Sequence, residues 1–269
     1  MTDLPTLTIT DGPSRIAHVR LNRPDKLNSL TLEILDELVA ITHRIRKDRT
    51  IRAVVLSGEG RSFSAGLDFG TVMKTPGSMA LSFLSRPWRG TNQFQEACWG
   101  FRRLSVPVVA AVHGHCFGGG LQLALAADWR FTTADAQWSI LEAKWGLIPD
   151  MSGMQTFKQQ LPADVLKKLT MTGEVFDGRA AVEYGVASEV SENPLQDAEA
   201  LAAVIATRSP DSVAYTKKLV DETWSRGPYA TFFHERMRQF RLLAEKNTRI
   251  AQKAATEKVA PVFRKRSVR

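Results

Sequence analysis

A chain of 269 residues, 43% of them hydrophobic, can bury a full core as one large domain or as one domain with an appendage. Its net charge of +8, from 36 basic and 28 acidic residues, suits anionic ligands, yet no zinc-finger spacing or aromatic-interleaved basic stripe argues for nucleic acid. There is no apolar run of about 18 residues, no basic-then-apolar leader, and two cysteines give no disulfide framework, so no membrane span and a cytoplasmic location are expected.

Residues 6–10 and 16–21 read as strands of a hairpin around Asp11-Gly12-Pro13. From Thr31 to Lys47, apolar residues at Leu32, Leu35, Leu38, Val39, Ile41 and Ile45 keep helical spacing. A strand over 51–58 ends in glycine, and 91–104 is helical, with Phe94, Ala97, Cys98, Phe101 and Leu104 on one stripe. Val108–His113 is a buried strand, Leu121–Ala127 a helix, and 129–140 a strand with a turn inside it. This alternation predicts an α/β fold. Beyond about residue 153 helices dominate, over 162–171, 178–184, 194–207, 210–225 and 228–250, with Pro210 and Pro228 near two of the starts. They form either a cap on the core or a subunit interface. The basic residues Arg264, Lys265, Arg266 and Arg269 at the end read as a solvated tail or a phosphate-contacting arm.

Three consecutive glycines, Gly118 to Gly120, occupy the turn between the strand at 108–113 and the helix after it. Glycine disfavours helix by about 1 kcal/mol relative to alanine, so the triplet calls for a reason. At a strand-to-helix turn the first backbone N–H groups lack partners and can hold an anion or a developing oxyanion. A second glycine stretch, "SGEGRSFSAGLDFG" (57–70), also follows a strand, the usual place for ligands in such folds. No Gly-Lys-Ser or Gly-Lys-Thr follows, so it is not a phosphate loop. His113, His115 and Cys116 lack a further ligand cluster and read as core or pocket wall; no metal is expected.

In order along the chain stand "LNRPDKLNSL" (21–30), "SFSAGLD" (62–68), "GHCFGGGLQLALAAD" (114–128) and "EAKWGLIPDMSG" (142–153). Together these motifs resemble the crotonase family, the enoyl-CoA hydratases and isomerases that act on acyl-CoA thioesters, over about residues 7 to 225. The resemblance implies an α/β, crotonase-like spiral of repeated β-β-α units with a C-terminal helical region. It places a catalytic core over 1–200 and a helical trimerisation region with the basic tail over 201–269, in a homotrimer or homohexamer. It implies an acyl-CoA substrate that itself carries coenzyme A, and no separate cofactor. The Leu67 and Gly119 amides would form the oxyanion hole for the thioester oxygen. Lys26 and nearby Arg23 would meet the polar end of CoA, with Leu27, Ala65, Gly66, Asp68, Gly118, Trp145 and Leu147 also at the substrate. Residues 71–90 would line or cover the acyl pocket.

Glu142 matches a glutamate of the family, and with Asp150, eight residues on, it forms a pair that resembles that of the family's dienoyl-CoA isomerases. Gly146 and Pro149 between them argue against one straight helix, so the chain can bend and bring both to one pocket. Burial beside Trp138, Trp145 and Leu147 would raise a carboxyl pKa and suit it to acid–base work. Where family hydratases carry a second glutamate, this chain has Gln122, whose amide cannot exchange protons at neutral pH and only orients substrate or water. That substitution favours double-bond isomerisation by a Glu142/Asp150 proton shuttle. The alternatives are hydration of a 2-enoyl-CoA, another of the family's reactions, or a scaffold that binds acyl-CoA without turning it over.

Overall fold

The computed structural model of the chain describes residues 3–12, 14–72, 76–85 and 89–268. Eight strands occur among them: β1 (Thr6–Ile9), β2 (Ile16–Leu21), β3 (Ala53–Gly58), β4 (Val108–Val112), β5 (His115–Phe117), β6 (Trp129–Thr132), β7 (Gln137–Ser139) and β8 (Glu189–Val190). Six form one sheet in the order β1-β2-β3-β4-β6-β8, and β5 pairs with β7 in a second, two-stranded sheet. The β1–β2 hairpin is antiparallel, as expected, although Pro13 of its turn lies outside the described residues. Every other pairing is parallel. Central strands β3 and β4 are accordingly near-continuous apolar runs, because a parallel sheet is covered on both faces.

Side chains alternate between those faces. Val54, Leu56, Ala110 and Val112 join the large core that holds helix α1 (Leu32–Lys47), whose stripe Ile34, Leu35, Leu38, Ile41 and Ile45 is buried. Thr31 caps α1 by accepting from the Ile34 N–H. After the short helices α2 (Phe69–Val72) and α3 (Pro76–Phe83) comes α4 (Gln93–Arg102), which opens with an Asn92/Gln95 capping box and packs on α1. Helix α5 (Gly119–Ala124) follows β5; α6 (Gly153–Gln160), α7 (Ala163–Thr172) and α8 (Gly178–Glu183) lead to α9 (Pro194–Ala206). The opposite face of the sheet is covered by α9, where Ala198 and Ala202 meet Ala53, Val55, Val109, Ala111 and Phe131. Helices α10 (Pro210–Thr223), α11 (Pro228–Ala244) and α12 (Lys246–Glu257) complete the C-terminal region.

A β-β-α unit recurs: β4–β5–α5 and β6–β7 with its following helical turn each send one strand to the large sheet and the next to the small one. For that reason 129–140 is not one strand with a turn, as expected, but two strands in different sheets. The Gly114 turn also hides a strand the sequence reading lacks, β5. Gly114 has φ +59°, and a Cβ there would meet the Arg61 carbonyl oxygen at 2.1 Å, so the chain kinks sharply out of β4. The helix expected over 228–250 breaks at Glu245, whose extended backbone (φ −75°, ψ 142°) separates α11 from α12.

Arg266 does not belong to a solvated tail or an exposed arm. Its buried guanidinium donates to the Ile51 and Val268 carbonyls at 2.8 and 2.9 Å. Beside it, buried Asp211 accepts from the Ser267 N–H at 2.6 Å and from the Asn247 side chain at 2.7 Å. The C-terminal segment is thereby clasped to α10, α12 and the loop before β3.

Candidate active site

Two turns meet over α5. The Ala65–Asp68 turn is stitched to residues 27–30: Ala65 N–H donates to Leu27 O at 2.8 Å, Leu30 N–H to Gly66 O at 2.8 Å, and Asp68 N–H to Leu30 O at 2.9 Å. Gly66 has φ +90°, and a Cβ on it would lie 2.7 Å from the Phe117 carbonyl oxygen, so the close approach requires glycine. Gly118, at φ +47°, holds the second turn, and its Cβ position lies 3.5 Å from Glu142 Oε1. Gly120 then presses α5 against Ser64, where a Cβ would meet Ser64 Cβ at 2.6 Å. Among the described residues neither the Leu67 N–H nor the Gly119 N–H has an acceptor. Both residues line one cavity of about 280 Å³.

Glu142 and Asp150 line the same cavity. Glu142 sits on a 3₁₀ turn (Leu141–Trp145) that ends at Gly146, in the left-handed region at φ 69°, and the chain bends there to carry Asp150 back. Burial pushes the Glu142 carboxyl above the ordinary glutamate range, opposed by its own backbone amide and by Gln122, with the charge of Asp150 adding to the rise. Burial likewise raises Asp150. Glu142 Oε1 accepts from Gln122 Nε2 at 2.7 Å, whereas Oε2 is buried and has no hydrogen-bond partner among the described residues. The rest of the wall is apolar: Phe69 stacks on Trp145 with ring centroids 4.7 Å apart, Phe83 packs on Phe94 at 4.8 Å, and Leu141, Ile148 and Met151 complete it. Two acids, two open amides and an apolar wall can move protons next to a polarised carbonyl oxygen. A larger cavity of about 880 Å³ lies among α10–α12, but its acids are ion-paired, Asp221 with Arg102 at 2.8 Å and Asp128 with Lys217 at 2.6 Å.

A family model described as enoyl-CoA hydratase/isomerase matches residues 11–266. The chain belongs to the enoyl-CoA hydratase/isomerase family. It is 33% identical over 208 residues to (E)-benzylidenesuccinyl-CoA hydratase of Thauera aromatica, an alignment covering 76% of this chain and 78% of the relative. To the human mitochondrial Delta(3,5)-Delta(2,4)-dienoyl-CoA isomerase it is 33% identical over 220 residues, covering 79% of this chain and 67% of the relative. Among solved structures, an enoyl-CoA hydratase from Bacillus anthracis superposes with TM-score 0.85 at 25% identity, over 96% of this chain and 98% of that one. The fold is thus the crotonase α/β fold, with the helical C-terminal region described above.

In this member of the family, the expected residues Ala65, Gly66, Leu67, Gly118, Gly119, Glu142, Trp145, Leu147 and Asp150 are brought together on the cavity. Gln122 lies behind Glu142, buried, and does not line it. Lys26 and Leu27 stand outside, Lys26 exposed on a 3₁₀ turn and Leu27 holding Ala65 through its carbonyl. Arg23 is not an open cation: it donates to Asp68 Oδ2 at 2.7 Å and to Ser29 Oγ at 2.8 Å. Although burial raises the Asp68 carboxyl, the hydrogen bonds from Arg23 and Thr71 outweigh it and hold it below the usual range. Trp138 does not line the cavity; its indole N–H donates to Thr132 Oγ1 at 3.1 Å in the core.

Within the expected acyl segment 71–90, Phe83 lines the cavity, and residues 73–75 and 86–88 lie outside the described residues. Phe69, Phe94, Leu141, Ile148 and Met151 were not among the expected site residues. Phe94 carried only the signal of a core stripe, and Met151 could have been found from its place beside Asp150. His113 and His115 do not share a strand face, since the Gly114 kink separates them. Each is spoken for, His113 Nε2 at the Gly60 carbonyl (2.8 Å) and His115 Nδ1 at Ser62 Oγ (2.8 Å).

Proposed function

We propose that this enzyme isomerises unsaturated acyl-CoA thioesters, such as a 3,5-dienoyl-CoA with its saturated α carbon, by a two-carboxylate proton shuttle. The thioester oxygen would accept from the Leu67 and Gly119 amides. Glu142, whose carboxylate lies against the Gly118 turn next to those amides, would take the proton from the α carbon. The C–H electron pair then moves toward the carbonyl, leaving an enolate extended through the conjugated double bonds, and Asp150 delivers a proton at the far end of that system. Atoms balance: one proton leaves, one arrives, and the double bonds move by one carbon with no change in mass. Losing one preorganised oxyanion donor costs about 3 kcal/mol in systems of this kind. Exposed Lys26, on the turn just before Leu27, would meet the CoA phosphates, and the apolar wall suits the acyl tail.

The observation that carries this reading is the state of Gln122. Its amide donates to Glu142 and accepts from the Met151 and Gly153 N–H groups, behind the cavity wall, so it is held to the protein rather than presented to a water molecule in the cavity. Hydration is the second reading, favoured by the similarity to hydratases as well as isomerases. The test is turnover of a 3,5-dienoyl-CoA and a 2-enoyl-CoA by wild type, Glu142→Gln and Asp150→Asn, followed by ultraviolet absorbance and mass spectrometry. The shuttle predicts a shifted diene chromophore at constant mass, lost in both variants. Water gain on the enoyl substrate with Asp150→Asn still active would replace it with hydration.

A further inference from the structure

An amide in a buried catalytic shell must satisfy two N–H donors and one carbonyl acceptor, and the way it does so fixes its neighbours. Gln122, on α5 and 2% exposed, engages one N–H and its carbonyl oxygen across two separate chain segments. Its Nε2 donates to Glu142 Oε1 at 2.7 Å, on the 3₁₀ turn. Its Oε1 accepts from the Met151 N–H at 2.8 Å and the Gly153 N–H at 3.0 Å, on the segment that carries Asp150. The opposite amide orientation would set oxygen against carboxylate and NH₂ against two N–H groups, so the network allows one placement only. Gly153 leaves room for it: a Cβ there would lie 2.7 Å from Gln122 Cγ.

We propose that Gln122 is a positioning residue that sets the register of the two carboxylates with a single side chain and leaves Glu142 one proton-transferring oxygen, Oε2. With Oε1 tied to a neutral donor that exchanges no protons, the base acts from one fixed direction, on the cavity that Leu67 and Gly119 also line. The charged and titratable groups acting on Glu142 are few. Asp150 repels its ionised form from the loop before α6, and the buried Cys98 thiol on α4 is neutral, its own ionisation suppressed by burial and by both acids. Among the described residues no ion pair reaches Glu142. Gln122 is therefore the side-chain donor that favours its charged form. The inference rests on the shuttle reading for its kinetic consequence, but the clamp itself has a readout without substrate.

The experiment compares the full chain as wild type, Gln122→Met and Gln122→Glu, each labelled with ¹³C-carboxyl glutamate, the Glu142 signal being assigned by Glu142→Gln. Methionine removes both halves of the clamp. Glutamate keeps an acceptor for the Met151 and Gly153 amides and removes only the donor, so it guards against simple misfolding. Glu142 is expected to titrate at higher pH in both variants, and highest in Gln122→Glu, where two carboxylates in contact must share a proton. With a 3,5-dienoyl-CoA as probe, kcat is expected to fall about a hundredfold while KM changes by less than about threefold, and the rising limb of the pH profile moves up with the titration. An unmoved Glu142 titration in a variant with the wild-type thermal transition overturns the proposal. Loss confined to KM overturns it as well. If Glu142→Gln itself retains diene turnover, the shuttle falls, and the carboxyl titration still decides the clamp by itself.

Discussion

Glu142 is an acid held where water solvates its charge poorly, and that single fact governs both its chemistry and its cost. Burial, foremost, lifts its pKa, as it does that of Asp150. A base must be ionised to act, so the rate of an α-proton transfer is expected to rise with pH through a value above the ordinary glutamate range. A kcat profile shows whether it does. Replacing Glu142 by glutamine removes the proton acceptor and should lower kcat by roughly a thousandfold, while CoA-thioester affinity, read by calorimetry, stays near wild type. The same shift has a stability consequence with a definite sign. Folded-state pKa values above the unfolded ones favour the protonated native form, so this contribution is full below the unfolded carboxyl pKa and is lost as pH rises through the folded values. Glu142→Gln and Asp150→Asn are therefore expected to melt higher than wild type at neutral pH, with a flatter pH dependence of the thermal midpoint; equal midpoints across that range would contradict the burial argument. The pair was legible through the family resemblance of its motif, and Gly146 and Pro149 announce the bend between the two acids. The clamp by Gln122 was not, since hydrogen bonds to residues 29 and 31 positions away leave no local signal.

At the scale of elements, the site depends on backbone turns that only glycine can make. Gly66→Ala strains a positive φ and drives a methyl into the Phe117 carbonyl, so the Ala65–Asp68 turn must shift and carry the Leu67 amide with it. The expected result is loss of about a hundredfold in kcat/KM with the fold retained by circular dichroism, as misplacing a reacting group by about 1 Å produces. The C-terminal clasp makes a separate prediction. Arg266→Ala leaves the buried Ile51 carbonyl without its donor and should destabilise the protein by about 1–3 kcal/mol in urea unfolding, without touching the chemistry. Periodicity exposed α1, α4, β3 and β4 because each buries a regular stripe or a continuous run. It did not expose β5 or β7, at three residues each too short to carry a period, nor the break at Glu245, where neither glycine nor proline marks the helix end.

On the scale of the whole molecule, α11 presents large apolar side chains to solvent, Tyr229 at 89% and Phe240 at 79% exposure, with Phe232, Phe233 and Leu243 at helical spacing beside them. Contiguous apolar surface of this kind marks an interaction face. A homotrimer or homohexamer built through it is the expected assembly, and light scattering after gel filtration checks it. Tyr229→Asp with Phe240→Asp should shift the mass toward the monomer, and a wild-type monomer at every concentration would refute this use of α11. No helix among the described residues is long and apolar enough to cross a membrane. The sheet, the two glycine turns and the bend after Glu142 together converge on one cavity with two raised acids, and proton transfer without water addition is the central claim of the proposed function. The most direct test incubates the wild-type enzyme with a 3,5-dienoyl-CoA in heavy water and follows the product by mass spectrometry and ultraviolet absorbance. The account predicts a displaced diene chromophore, with one deuteron delivered at the far carbon in place of the proton taken from the α carbon and no water added. A product heavier by one water molecule would contradict it.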